Sequence, residues 1–121
     1  MEAPATASWD QSISEADFSK LKAGYEALNM NHRWEVEADE PDENGILSIH
    51  ISRSWTQIDQ YILAVQPSDG GGGTITSITW QQNMGEIHVG EERAKKGAVI
   101  VCRWVMKCEF ETLPLYDNRS L

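Results

Sequence analysis

Arg53 stands where a strand's alternation aims it inward. In ILSIHISRSW (46–55), Leu47, Ile49, Ile51, Arg53 and Trp55 share one face, while Ile46, Ser48, His50, Ser52 and Ser54 share the other. An unpaired guanidinium inside a core costs several kcal/mol. Arg53 therefore snorkels out at the strand end, pairs with an acid such as Asp59, Asp17 or Glu26, or faces a pocket that an anionic ligand completes. Trp34 and Trp80 also fall on apolar faces near strand ends, and arginine among aromatic rings suits an oriented organic anion. Arg53, Trp55, Trp34, Trp80 and Ser54 are accordingly the candidate ligand-binding residues, for a small anionic or aromatic molecule. Ser54 and Thr56 supply hydrogen bonds there or cap the turn.

A second reading is an enzyme in that same pocket, a small cyclase or isomerase with His50, Asp59 or Glu37 as its acid–base group, although alternation sets His50 on the face opposite Arg53. A third reading is an interaction module, with an acidic turn and exposed tryptophans meeting a basic protein partner. The three histidines, His32, His50 and His88, show no metal-ligand spacing, and no metal is expected. In EPDENGILSIHI (40–51), Glu40, Asp42, Asn44 and Gly45 fit the start of a calcium loop, but Ile51 occupies the place of its bidentate glutamate, so the stretch reads as an acidic hairpin turn. DGGGGT (69–74) lacks the GK[ST] ending of a phosphate loop and reads as a flexible connection, so no cofactor is expected. Cys102 and Cys108 lie six apart and read as reduced packing residues of a cytoplasmic protein.

Composition narrows the partners. The chain has 121 residues with 19 Asp and Glu against 10 Lys and Arg, a formal charge of −9, which argues against nucleic acid and anionic membrane surfaces. No stretch approaches the roughly 20 apolar residues of a membrane span.

These residues need elements to position them, and the pattern gives an α+β fold: an N-terminal helix, an antiparallel meander of about four strands, and a C-terminal helix. Residues 1–11 read as a loose arm, 12–113 as one domain and 114–121 as a loose tail. Ser14 is an N-cap with Asp17 three residues on and Ile13 placed to staple against Phe18. Phe18, Leu21, Tyr25 and Leu28 form one stripe, so the helix runs to near Asn29. Strands follow over 32–39, 46–55, 60–67 and 74–80, with Asn44-Gly45 turning the first pair. Between Gly90 and Cys108, alternation fits a strand and Ala94, Ala98, Val101, Cys102 and Val105 fit a helix stripe; the length and the terminal charges favour the helix.

The run from Trp34 through PDENG (41–45), L-x-I-H-x-x-R-S-W-T (47–56) and A-K-K…V-x-x-C-R-W-V (94–105) resembles a family of small bacterial and fungal proteins. That family pairs a K-W and an acidic G-P-D-E-x-G turn with H-x-x-R-S-W-T-G and a C-terminal helix ending C-R-W-V. The resemblance covers most of residues 30–108 and implies the C-terminal helix, but no reaction. Gln57 stands in place of the family's glycine and Arg33 in place of its lysine; where that glycine lets a ligand near the backbone, Gln57 narrows the site.

Overall fold

The computed structural model describes residues 4–25, 34–53, 59–68, 71–84, 87–106, 108 and 110. Along the chain come β1 (Pro4–Ile13), α1 (Glu15–Ala23), β2 (Trp34–Ala38), β3 (Leu47–Arg53), β4 (Asp59–Pro67), β5 (Gly73–Gln81), the short β6 (Asn83–Met84) and β7 (Ile87–His88), and α2 (Glu91–Val105). Five strands form an antiparallel sheet in the order β1-β5-β4-β3-β2, and β6 pairs with β7. The α+β class and the antiparallel sheet stand as expected.

The first element does not. Strand β1 covers residues 4–13, of which 4–11 fall within the expected loose arm, so the sheet has five strands rather than about four and α1 is the second element. Ala5, Ala7 and Trp9 pack against the core from β1, a side-chain set too small to mark a strand locally. What makes the strand is pairing along β5, from Pro4 opposite Gln81 to Ile13 opposite Gly73. Strand pairing over such a sequence separation leaves no short-range signal.

Helix α1 starts as the sequence demands, with Ser14 Oγ accepting from the Asp17 N–H at 3.1 Å. It ends at Ala23, short of Asn29, because Gly24 takes φ 76° and closes the helix by donating its N–H to Lys20 O. A Cβ on Gly24 would lie 2.6 Å from Val36 O, so the chain leaves the helix where only glycine fits. Tyr25 then exchanges two backbone hydrogen bonds with Val36 at the outer edge of β2. Leu28 and Asn29 lie outside the described residues.

The sheet's inner face follows the expected alternation. Trp34 and Val36 on β2, Leu47, Ile49 and Ile51 on β3, Tyr61, Leu63 and Val65 on β4, and Ile78 and Trp80 on β5 are all buried. Two bulges break the rule usefully. Between Ala64 and Val65 the β4–β5 register shifts, so that Ile75 joins Ile78 in the core. Between Ile51 and Ser52 the β3–β4 register shifts as well: Ile51 opposes Tyr61, while Ser52 opposes Asp59.

Helix α2 settles the ambiguous segment. Ala94, Ala98, Val101 and Cys102 are each no more than 1% exposed and form the predicted stripe against the core. Glu91 and Glu92 occupy its first turn and Arg103 its last, as the helix dipole favours. Cys108 follows the helix, returning its N–H to Cys102 O. The loop before β5 is fitted rather than loose where it is described: a Cβ on Gly72 would lie 2.5 Å from Ile13 O.

Candidate functional site

The sheet's outer face carries what alternation leaves over: Glu35 and Glu37 from β2, and His50 and Ser52 from β3. Glu37 lies directly opposite His50, and Glu35 opposite Ser52. Two further carboxylates arrive by local geometry. Asp39 follows the last residue of β2 and is pinned by its N–H to Ser48 O at 2.9 Å. Asp59 opens β4, two residues before the inward Tyr61, and simple alternation would turn it into the core; the bulge at Gln60 turns it to the outer face instead.

Glu35, Glu37, Asp39, His50, Ser52 and Asp59 line one cavity of about 400 Å³. At its centre His50 sits between two acids, Nδ1 2.8 Å from Asp59 Oδ2 and Nε2 2.7 Å from Asp39 Oδ2. Both partners are carboxylates that only accept, so the imidazolium, with an N–H on each nitrogen, satisfies the pair in full. Burial alone would lower the pKa of His50; the hydrogen bonds to Asp59 and Asp39, together with their charges, outweigh it and hold the ring above its ordinary value. Asp39 is the more exposed partner at 55%, against 31% for Asp59.

Among the described residues the lining therefore presents four carboxylates to one imidazole, with no lysine or arginine. Such a cavity attracts cations and repels anions. Among the described residues no group of three or more His, Cys, Asp or Glu side chains is arranged to hold a metal ion.

The residues first singled out divide differently. Arg53 ends β3 opposite Trp34, and its side chain, like Ser54, Trp55, Thr56 and Gln57, lies outside the described residues. Trp34 and Trp80 belong to the packed core. Trp34 stacks on Tyr61 with centroids 6.3 Å apart, and Trp80 donates its indole N–H to Val89 O at 2.7 Å. Of the acids considered for Arg53, Asp59 binds His50, while the buried Asp17 accepts from the Phe110 N–H at 2.8 Å; Glu26 lies outside the described residues. His50, Asp59 and Glu37, the alternative acid–base groups for a pocket around Arg53, line one cavity on the outer face, and neither Trp34 nor Trp80 is in its lining. Alternation alone also gives Glu35 and Ser52, and carried to the end of the 32–39 stretch it gives Asp39.

The acidic hairpin is a turn, as expected. Asp42 Oδ1 accepts from the N–H groups of Asn44 and Ile46 at 2.8 and 3.0 Å, and Gly45 takes φ 79°. Cys102 and Cys108 are free and buried. Burial, then the charge of Asp17, pushes the Cys108 thiol up to about 12, and burial holds the Cys102 thiol well above its ordinary value, so neither is a thiolate nucleophile. No helix of the described residues is long and apolar enough to cross a membrane. Compared with protein-family models, curated proteins and solved structures, the chain matches none.

Proposed function

We propose that the protein is a small-molecule-binding domain whose ligand enters the outer-face cavity and carries a positive charge, as a small amine or guanidine does. The observation behind this reading is the lining itself, four carboxylates around His50 with no countering lysine or arginine among the described residues. Glu35 and Glu37 reach the cavity from β2, Asp39 from just beyond it and Asp59 from the start of β4, and Ser52 adds a hydroxyl. A ligand of −9 net charge's opposite sign is also drawn in from a distance. The two buried free thiols fit a reducing compartment, and we place the protein in the cytoplasm.

The acid–base chemistry of a small isomerase is a second reading, favoured by one contact. Asp59 holds His50 by Nδ1, which orients the ring so that Nε2 can exchange a proton with a substrate that displaces the more exposed Asp39.

Thermal shift separates these from the anionic or aromatic ligand that Arg53 and Trp55 suggest. A ligand at 100 times its dissociation constant adds about 2.7 kcal/mol, several degrees for a domain this size. Small amines and guanidines are expected to raise the melt of the wild type, and Glu37→Gln to weaken them about tenfold, a change of about 1.4 kcal/mol. A shift with organic acids alone, lost in Arg53→Met, moves the site to RSWT and removes the cation reading. Turnover by wild type and its loss in His50→Gln carries the isomerase.

A further inference from the structure

We propose that His50 is a proton-operated clamp: protonated, it ties the end of β2 to the start of β4 across β3, and deprotonated, it lets Asp39 go. That the released carboxylate receives a ligand rests on the cation reading above; the clamp itself does not.

The geometry is that of three segments joined through one ring. His50 sits in mid-β3, with Glu37 of β2 on one side and Ile62 of β4 on the other. Its two nitrogens reach past these neighbours to Asp39, beyond the end of β2, and Asp59, the first residue of β4. A neutral imidazole has one N–H. Its other nitrogen then points a lone pair at a carboxylate oxygen less than 3 Å away, and both groups only accept. One contact must open. Asp39 is the partner that can move, being more exposed and carried on the hairpin end, whereas Asp59 is set by the bulge within the sheet.

Among the described residues, every other charged group facing the ring acts in one direction. Glu35 and Glu37 on β2 are carboxylates, Ser52 on β3 is neutral, and Ile62 on β4 is apolar. Their field favours the proton, and partial burial of the ring opposes it. A cation entering the cavity takes over the balancing charge that the imidazolium supplies, so ligand and proton compete. Cation affinity then rises with pH across the titration of His50, at its steepest roughly tenfold per pH unit with about one proton released.

The test uses the full chain with labelled histidine and backbone amides, followed by NMR between pH 6 and 8.5, with 1,4-diaminobutane as the cationic probe. As His50 titrates, the Asp39 carboxyl signal and the amides of Asp39 and Ser48 are expected to move with it, and Asp39→Asn to lower the His50 midpoint. A His50 titration that leaves Asp39 unmoved overturns the clamp. Calorimetry in the same range reads the ligand: affinity rising with pH in wild type and flat in His50→Gln supports the competition, and pH-independent binding in wild type overturns it. A clamp that moves without diamine binding at any pH supports the clamp and removes the cation reading, so the two failures are distinct.

Discussion

His50 makes stability depend on pH with a definite sign. Its folded pKa lies above the unfolded value of about 6.5, so the stabilisation is complete below that value and is lost as pH rises through the folded one. Because the ring is a quarter exposed, the contribution is on the order of 1 kcal/mol after solvent screening. Urea unfolding should show wild type ahead of His50→Gln by about that much near pH 5.5, the gap closing as pH rises through the folded pKa; an equal gap on both sides of the titration would mean packing, not charge. Asp17 is a second residue whose loss should tell. Its carboxylate is 1% exposed and receives the Phe110 N–H, while Arg103 Nη2 donates to Phe110 O at 3.0 Å. Asp17→Ala strands a buried donor and should cost about 1–3 kcal/mol in the same assay. Gln60 runs the other way. It is 5% exposed, and among the described residues its Nε2 has no partner. Gln60→Leu should therefore raise stability by about 1 kcal/mol, unless the bulge itself depends on the amide.

Elements explain what could be read from the chain. Alternation in HRWEVEAD and ILSIHISRSW gave both faces of β2 and β3, and with them Glu35, Glu37, His50 and Ser52 on the outer side, because a period of two needs no tertiary information. Asp59 could be named but not placed: alternation with Tyr61 points it inward, and only the register shift beside Gln60 sends it to His50. The strand β1 was illegible for a related reason, its pairing being with residues some seventy positions away. The end of α1 is not legible in the stripe because Tyr25 continues it, while Gly24, with φ 76° and Val36 O against its missing Cβ, stops the helix first. Gly24→Ala should cost about 1–3 kcal/mol from backbone strain alone, read as a lowered urea midpoint. A smaller loss would mean that the Tyr25 bridge shifts to make room.

At the scale of the molecule, the two faces of the sheet have separate tasks. The inner face holds the aromatic and aliphatic core, including Trp34 and Trp80, which first suggested a pocket. The outer face carries the polar groups and the cavity. The sheet's two borders bear on how the molecule meets copies of itself. A free strand edge is a template on which another chain can build. On β2, Tyr25 already takes both backbone groups of Val36, in the middle of the strand. On β1, Asp10 bends the backbone with φ 59°, and Lys95 Nζ captures Ser8 O at 3.1 Å. Among the described residues neither border offers a long unbroken row of donors and acceptors, an arrangement that resists the strand-by-strand stacking that leads to fibrils.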